Sequence, residues 1–341
     1  MKKFPAMLAM LLACISAYAA GGGFLFTTFR DEINPMSEQI YMAISEDGRH
    51  WDSLNSGDPV LVSDVGEKGV RDSFLLRSKD GRKVWLFATD LCVARNRDWH
   101  RATHAGSRSI VVWESTDLVH WTPPRLALVA PSDAGCVWAP EGIYDPENQD
   151  YLVYWASTTG RDNFSKLRIW AARTKDFYSF SPPFIYDEKT NHVIDIDIAR
   201  DGQNFYRFTK DDKDKSVNME ISTNLMGPWQ PVPSFTAGTG KNFEGPICYQ
   251  LKPDDQGQPA PWCLLLDNVS DRIGAGAFGY MPFTSTNPAS GNFIAATNFH
   301  FPYPFRHGSV LPIGKAELKR LKSAYLKTNK MEGNSRRFFK Q

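Results

Sequence analysis

The sequence lacks a strong net charge. Its 39 Lys and Arg residues nearly balance 38 Asp and Glu, which leaves a formal charge of +1 over 341 residues. Composition therefore offers neither the basic field that favours nucleic-acid binding nor an acidic, solvating tail. We expect a neutral partner and no nucleic acid, and the chain is long enough to bury a substantial core.

Long apolar runs are also scarce. The extended one near the N terminus, within residues 1–19, is too short to span a bilayer. Two lysines precede it and an Ala-Tyr-Ala sequence at 17–19 follows it, which is the pattern of a secretory signal peptide. Lipoprotein processing and a lipid anchor at Cys14 are the second interpretation. Both predict export, to the periplasm or the cell exterior, and no membrane span.

Cysteine is infrequent, and four cysteines remain after the predicted cleavage. In an oxidising compartment, Cys248 and Cys263 could form a disulfide across a hairpin. Buried free thiols are an equally weighted alternative, and the sequence leaves the choice open.

Helical patterning is nearly confined to residues 314–327, and the remainder indicates short strands in a repeating arrangement. Each repeat is a strand that ends in a polar turn and an apolar anchor. Successive copies begin 48 to 70 residues apart, a spacing that fits one propeller blade per copy. The copies are SEDGRHW (45–51), STDLVHW (115–121), TKDFYSF (174–180), STNLMGPW (222–229) and a degenerate copy from Ser285.

A second series alternates with the first and opens each unit. Its members are VRDSFLL with Asp72, WAPEGIY with Glu141, VIDIDI with Asp195, FEGPICY with Glu244, and RHGSVLPI with His307. The first strand of every propeller blade lines the central channel. We therefore expect these five residues to occupy the same position of successive inner strands and to surround one axis.

The strands near the two ends of the chain are predicted to form one blade together. The strand that follows His307 has little chain after it, and the N-terminal FLFTTF and QIYMAI strands lack an opening strand. Joining them removes exposed sheet edges, so we predict an all-β, five-bladed β-propeller closed by N- and C-terminal strands in one blade. The predicted boundaries are 1–19 for the signal peptide, 20–313 for the propeller and 314–341 for a C-terminal helix and tail.

Carboxylates gathered around one axis are costly to bury unless they share protons, bind a cation or meet a polar ligand. Hydrolysis of a glycosidic bond needs one carboxylic acid and one carboxylate, and a third acidic group can raise the pKa of the acid. Asp72, Asp195 and Glu244 suit these three roles. Taken singly, each could also be a turn, an ion-pair or a solvated residue.

The ordered motifs Asp-Ser, Trp-Ala-Pro-acid, Ile-Asp, Glu-Gly-Pro and His-Gly-Ser resemble glycoside hydrolase family 43 over residues 24–313. That resemblance implies a five-bladed propeller that hydrolyses furanosides or xylosides with inversion. The placement of FLFTTF before the first motif resembles a subgroup with α-L-arabinofuranosidase or β-D-galactofuranosidase activity, which implies an exo-acting furanosidase.

The same resemblance implies roles for individual residues. Asp72 is similar to the general base, Asp195 to the residue that tunes the acid, and Glu244 to the general acid. Glu141 would stand where the family usually has Asp, and His307 would lie in the channel, where some members place a cation or a water cluster.

Two local features qualify these roles. The family's usual Asp-Pro at the base is Asp72-Ser73 here, which bears on activity rather than on the fold. Phe243 and Pro246 flank Glu244, and we expect them to contribute an apolar pocket that keeps this carboxyl protonated.

Substrate contacts are predicted for Glu141, Trp138, Arg306 and His307. Trp138 could stack on a sugar or simply pack between blades, and Arg306 could bind a hydroxyl or neutralise the carboxylates. Phe26, Thr28 and Phe29 would reach the axis only if strand alternation favours that face. No cofactor is expected, although calcium near His307 stays open and water is the default there.

Two other functions remain open. One is a carbohydrate-binding propeller without catalysis, which Ser73 would favour if it marks a decayed base site. The other is a retaining, fructosidase-like hydrolase, but the nucleophilic Asp motif that it requires is not found before Asp72. An oligo- or polysaccharide is the expected substrate, and the sequence does not identify the sugar or the linkage.

Overall fold

The computed structural model describes residues 22–240, 242–253, 260–270 and 279–326. The predicted signal segment with Cys14 and the tail after residue 326 lie outside these ranges. The helices in the described part are α1 (Trp99–His104) and α2 (Lys315–Tyr325), and neither is long and apolar enough to cross a membrane.

Twenty strands in the described ranges form five four-stranded antiparallel sheets. The chain starts with β1 (Gly23–Thr28), β2 (Tyr41–Ser45) and β3 (Asp52–Ser53). Blade 1 is β4 (Val70–Arg77), β5 (Val84–Asp90), β6 (Ser109–Ser115) and β7 (Arg125–Leu128). Blade 2 is β8 (Trp138–Asp145), β9 (Asp150–Ser157), β10 (Arg168–Thr174) and β11 (Phe184–Asp187). Blade 3 is β12 (Val193–Arg200), β13 (Phe205–Asp211), β14 (Ser216–Ser222) and β15 (Gln230–Pro231). Blade 4 is β16 (Phe243–Gln250), β17 (Trp262–Asn268), β18 (Gly279–Ser285) and β19 (Ile294–Ala295), and the chain returns as β20 (Ser309–Ile313).

The fifth blade contains both ends of the propeller. Its strand order is β20-β1-β2-β3, so β20 is the innermost strand and β1 lies next to it. The pairing is antiparallel from Thr27 opposite Ser309 to Gly23 opposite Ile313. The predicted five-bladed propeller, closed by strands from both termini, is confirmed.

The repeated polar signature shapes the turn after the third strand of a blade. In the first copy, Asp47 Oδ1 accepts the backbone N–H groups of Arg49 and His50 at 2.7 and 2.9 Å. Asp117 does the same for Val119 and His120 in blade 1. This signature therefore stabilises turns, because Asp side chains readily accept hydrogen bonds from the N–H groups that follow them.

The apolar core lies between neighbouring blades. Trp85 and Phe87 of blade 1 pack on Tyr151 and Trp155 of blade 2 in one buried cluster. Helix α2 covers another cluster with Leu318 and Leu321, beside β1 and β4. The helix predicted over 314–327 thus has a packing role.

All four cysteines in the described ranges are buried free thiols, including the Cys248 and Cys263 pair whose state the sequence left open. Helix α1, which follows β5, was not predicted from the sequence. Its six residues are too few for a helical period to be recognised.

Candidate active site

The inner strands of blades 1 to 4 share a β-bulge near their first residues. One residue in each bulge has a left-handed backbone conformation, with φ of 45 to 51°. A bulge inserts an unpaired residue and redirects the side chains around it. The left-handed residues are Asp72, Ala139, Asp195 and Gly245.

This shared bulge corrects one expectation. Asp72 and Asp195 do occupy the same position of their strands, but Glu141 lies two residues after the left-handed residue of β8 and Glu244 lies one residue before that of β16. The expectation that all the carboxylates share one position is therefore wrong. The motifs align by their order in the chain, whereas side-chain direction changes with every residue along a strand.

Gly245 explains the Glu-Gly-Pro motif. Its φ is +51°, and a β-carbon added there would lie 2.6 Å from Cγ of His307. Glycine accepts this conformation without a steric penalty and lets the His307 ring approach the strand that carries Glu244.

Asp72 is fixed by the second strand of its own blade. Oδ2 of Asp72 accepts the hydroxyl of Thr89 at 3.0 Å, and Thr89 Oγ1 accepts the N–H of Ala139 at 2.8 Å. Thr89 is fully buried. The hydrogen-bonded chain ties Asp72 to the bulge of blade 2 and fixes the orientation of its carboxylate.

His307 brings blade 5 into contact with two carboxylates. Its Nδ1 lies 3.6 Å from Asp72 Oδ1 and 3.9 Å from Asp195 Oδ1. Oδ2 of Asp195 accepts the N–H of Gly245 at 3.1 Å. Burial raises the pKa of Asp195 to about 6; His307 and Lys210 lower it, and Glu244 and Asp72 raise it.

Glu244 lies between two cations. Lys210 Nζ contacts its Oε2 at 2.9 Å, and Arg306 Nη2 contacts its Oε1 at 3.0 Å. Phe243 instead packs in the apolar cluster between blades 3 and 4, because neighbouring residues of a strand point to opposite faces. The expectation that Phe243 contributes an apolar pocket around this carboxyl is therefore wrong.

Arg306 links Glu244 to a fourth carboxylate. Its Nε donates to Oδ2 of the fully buried Asp267 at 2.7 Å. Burial lowers the pKa of Arg306, but Asp267 and Glu244 raise it by more, so the guanidinium stays charged. Four carboxylates, those of Asp72, Asp195, Glu244 and Asp267, share this site with the cations of Lys210 and Arg306. Burial raises the pKa values of Asp195 and Asp267, which favours a retained proton on these carboxyl groups.

The three predicted catalytic side chains keep the access to water that chemistry requires. Glu244, Asp72 and Asp195 retain 18%, 13% and 10% of side-chain exposure. Glu141 retains only 3% of its residue surface and faces Asp197. The structure thus brings the predicted catalytic set together with Arg306 and His307, and buries Glu141 against Asp197.

Aromatic residues border the Asp72 side of the site. The half-buried Trp138 meets Trp99 of α1 edge to face, with ring centroids 6.1 Å apart. Trp99 remains 47% exposed, and the guanidinium of Arg71 lies 5.9 Å from its ring. Phe29 is buried between Arg71 and Arg306, at 4.6 and 5.0 Å. Trp138 therefore has both a packing contact and a partly open ring.

The donor groups around His307 bear on the calcium that the sequence left open. Among the described residues, no group of three or more His, Cys, Asp and Glu side chains is arranged to hold a metal ion. Calcium also prefers six to eight oxygen ligands. Calcium near His307, with water as the default, stays a prediction.

A family model described as a probable glycosyl hydrolase domain, related to glycoside hydrolase family 43, matches residues 20–319. The chain belongs to this family. The fold and class that the motif resemblance implied, a family 43-type propeller and a glycoside hydrolase, are confirmed.

Individual relatives of this glycoside hydrolase agree with that assignment. An α-L-arabinofuranosidase of Bifidobacterium longum subsp. longum is 28% identical over 88% of this chain, and the chain spans about a third (34%) of that relative. A thermostable family-43 glycoside hydrolase has a TM-score of 0.52 at 16% identity, covering 73% of this chain and 80% of that one. The GH43 protein BlXynB of Bacillus licheniformis, in a mutant form, has a TM-score of 0.51 at 14% identity. The match covers 86% of this chain and 57% of that one. The two solved structures show the fold alone.

Glu141 and Asp197 form a buried acid pair near the candidate carboxylates. Burial and the charges of Asp197 and Asp195 raise the pKa of Glu141 well above its ordinary value. Burial raises the pKa of Asp197 to about 7, although the N–H of Cys248, Glu141 and His307 lower it. That N–H donates to Asp197 Oδ2 at 2.9 Å, so the pair joins β12 to β16.

We expect the unfolding free energy of Asp197→Asn to increase relative to that of the wild type as the pH rises from about 5 to 8. The native pKa of Asp197 is raised, so its contribution to stability is complete below the unfolded-state pKa and is lost as the pH rises through about 7. The asparagine cannot ionise and can still accept the Cys248 N–H. The difference in unfolding free energy should change by up to about 1.4 kcal/mol per pH unit, measured by urea denaturation.

Asp64→Asn is the control for that series, because Asp64 is exposed. Its unfolding free energy should follow that of the wild type at every pH. If Asp197→Asn also follows the wild type from pH 5 to 8, Asp197 carries no proton in the native state near neutrality.

Ser73→Pro is expected to raise the unfolding free energy by about 0.4–1 kcal/mol, since proline restricts the unfolded chain. Ser73 follows the left-handed Asp72, as Pro140 follows Ala139 and Pro246 follows Gly245 in their bulges. It has no partner in the β4–β5 register, and its buried hydroxyl lacks a hydrogen-bond partner among the described residues. Thermal and urea unfolding measure the change, and a destabilised variant would mean that this bulge differs from the other two.

Three supporting residues were missed by sequence reasoning. Thr89, Lys210 and Asp267 occupy the same register position on the second strands of blades 1, 3 and 4, opposite the last residue before each bulge. They contact Asp72, Glu244 and Arg306 respectively. A signal was present for Thr89 and Asp267, because each is the polar residue that ends the apolar run of its strand, whereas Lys210 follows the polar Thr209.

Proposed function

We propose that this protein is an exported, inverting, exo-acting furanosidase that releases terminal α-L-arabinofuranosyl or β-D-galactofuranosyl residues from a glycan. The observation that carries the proposal is the convergence of three partly exposed carboxylates, each from a different blade, at one end of the channel. The arabinofuranosidase relative supports the furanosyl substrate, and the N-terminal sequence supports export.

In the proposed reaction, Glu244 donates a proton to the oxygen of the departing group while Asp72 removes a proton from the attacking water. Thr89 orients the Asp72 carboxylate for this purpose. Lys210 and Arg306 stabilise the negative charge that Glu244 acquires as it gives up the proton.

Asp195 tunes this proton donation. Its neighbouring negative charge opposes the ionisation of Glu244, whereas the two cations favour it. Since the pKa of Asp195 is raised to about 6, the proton that this group holds at mildly acidic pH is lost near neutrality. The ionisation of Glu244 therefore depends on Asp195 and on the two cations together.

The sugar itself would be bound between the carboxylates and the aromatic border. Trp138 and Trp99 offer ring surface on the Asp72 side, and sugar C–H faces pack well on aromatic rings. In this arrangement the furanosyl ring lies toward blades 1 and 2, and the leaving group lies toward Glu244.

A panel of 4-nitrophenyl furanosides and pyranosides tests the proposal. We expect turnover of the α-L-arabinofuranoside or the β-D-galactofuranoside, with slower or no turnover of the pyranosides. NMR of the first-formed anomer should show inversion, and retention would reject Asp72 as a general base. Binding of oligosaccharides without turnover of any glycoside would identify a carbohydrate-binding propeller instead.

A further inference from the structure

A cleft of about 610 Å³ lies between blades 1 and 2, at the end of the propeller opposite the catalytic carboxylates. Blade 1 contributes the turn between β4 and β5 (78–83), and blade 2 contributes Tyr151 and Lys175. Asp72 lies near the start of β4, and Ser78 follows the end of that strand. Since a strand rises by about 3.3 Å per residue, roughly 20 Å of strand separate this cleft from Asp72.

The strand register directs the lining side chains of blade 1 toward blade 2. The ring of Trp85 in β5 meets that of Tyr151 with centroids 5.1 Å apart. Lys83, two residues before Trp85, lies on the same face, and its ammonium is 5.6 Å from the Trp85 ring. The ammonium of Lys79 lies 4.9 Å from the ring of Tyr144 in blade 2. The buried rings of Trp85 and Tyr151 therefore form the floor of the cleft, and the cations border it.

Cations outnumber carboxylates in the lining of this cleft. The charged residues that line it are Lys79, Asp80, Arg82, Lys83 and Lys175. Lys83 Nζ contacts Glu114 at 2.5 Å, and Arg82 Nε lies 3.8 Å from Asp80. Lys79 and Lys175 are exposed and have no ion-pair partner among the described residues. The cleft therefore offers positive charge to a ligand, although the net charge of the whole chain is only +1.

The hydrogen-bonding groups of the cleft are mainly donors. The hydroxyl oxygen of Tyr151 accepts the N–H of Lys79 at 2.8 Å. Burial raises the pKa of Tyr151, so the hydroxyl keeps a proton that it can donate to a ligand. The one lining carboxylate, Asp80, already accepts the hydroxyl of Ser78 at 2.7 Å and the N–H of Arg82 at 3.1 Å. A ligand with oxygen acceptors and negative charge is the complement of this donor set.

The arrangement of the cations favours separated negative groups over a single phosphate. Lys79 and Arg82 come from the blade 1 turn, whereas Lys175 follows β10 of blade 2, so the cations are divided between the two walls. A phosphate concentrates its charge on one group and is best bound by donors that converge on it. A chain of uronate units presents one carboxylate per sugar, and each carboxylate can pair with one ammonium.

We propose that this cleft is a second binding site, which takes an acidic saccharide through the carboxylates of its uronate units. The negative charge of the ligand follows from the cleft, whereas its saccharide nature rests on the proposed function. An acidic part of a polymer bound there would raise the local concentration of furanosyl groups at the catalytic end.

Calorimetry of the full chain with tri-galacturonate and with its methyl ester tests the charge requirement. We expect saturable binding of the trimer, with a Kd that rises about fivefold between about 50 and 500 mM salt, because salt screens exposed charges. The methyl ester has the same sugar backbone without the charges, and we expect no measurable binding. Equal affinity for the trimer and its ester would overturn the proposal.

Charge reversal tests the location of the site. Lys175→Glu should raise the Kd for tri-galacturonate by about threefold, and the combination with Lys79→Glu by about tenfold. Neither lysine has an ion-pair partner in the described ranges, so both variants should unfold at the wild-type temperature. Lys319→Glu is the matched control, because Lys319 is exposed on α2 and outside the lining of the cleft. An equal rise in Kd for Lys319→Glu and Lys175→Glu, or an unchanged Kd in the double variant, would overturn the assignment.

Inorganic phosphate distinguishes the two sources of negative charge. We expect phosphate to compete only weakly with tri-galacturonate, because the cations are divided between two walls. If phosphate displaces the trimer at a comparable concentration, the cleft is a phosphate site and the saccharide assignment is overturned.

Turnover separates this inference from the proposed function. Both charge-reversal variants should hydrolyse 4-nitrophenyl α-L-arabinofuranoside within about twofold of the wild-type rate, since the cleft lies beyond the screening length from Asp72. If the wild type hydrolyses no glycoside but Lys175→Glu weakens binding of the trimer, the furanosidase proposal fails and the cleft stands. If the wild type hydrolyses the aryl furanoside but does not bind the trimer, the cleft proposal fails alone.

Discussion

Glu244→Gln is expected to slow hydrolysis of methyl furanosides by about 10² to 10⁴-fold, which is the usual contribution of proton donation. The same variant should act on 4-nitrophenyl furanosides much more nearly as the wild type does, because a stable phenolate leaves without a proton. Steady-state rates on the two substrates measure this difference. Asp72→Asn should impair both substrates alike, since every inverting turnover needs an activated water.

The matched control is Glu220→Gln. Glu220 is also bound by an arginine and a lysine, with Arg207 at 2.5 Å and Lys189 at 2.6 Å, but it lies on the third strand of blade 3 rather than in the channel. This variant should lose stability without a preference for one leaving group. It therefore separates the loss of a paired carboxylate from the loss of an acid.

Equal effects of Glu244→Gln on methyl and nitrophenyl furanosides would contradict the assignment of the acid. Asp195 would then be the group to test, because its side chain is partly exposed and its pKa is raised to about 6. Glu141 is the weaker substitute, since it is buried against Asp197.

A chain that ends at residue 304 is expected to lose cooperative unfolding altogether. It lacks His307, β20 and α2, so β1 loses its inner partner and the ring has two open edges. The interior loses Leu311, Ile313, Leu318 and Leu321 from one buried cluster. Near-UV circular dichroism and urea denaturation should show the loss.

A chain that ends at Leu326 is the control for this truncation, because it retains every strand and helix of the described structure. It should unfold cooperatively, with a midpoint close to that of the full chain. A folded 1–304 chain with native near-UV signal would mean that blade 5 is not needed to close the propeller.

The fold could be predicted from the sequence because its signals are repeated. Five turn signatures and five opening motifs alternate along the chain, so an error in one unit is corrected by the others. The incomplete units at the two ends then determine how the ring closes, which the β1–β20 pairing confirms.

The position of each site residue within its strand could not be predicted in the same way. A bulge adds one residue to an alternating pattern, and a one-residue shift moves a side chain to the other face. This is why Glu141 and Glu244 depart from the position shared by Asp72 and Asp195, and why Phe243 packs away from the carboxylate beside it. The partners on the second strands depend on cross-strand register, which short sequence motifs do not encode.

The closing blade has a kinetic consequence. The hydroxyl of Thr28 accepts the N–H of Arg306 across 278 residues, and His307 meets Asp72 only when the last strand is in place. Contacts between distant parts of a chain form slowly, because loop closure costs entropy before the contact stabilises the fold. The candidate site is therefore completed late. During synthesis, the carboxylates of the growing chain do not reach their final arrangement until nearly all of the chain has left the ribosome.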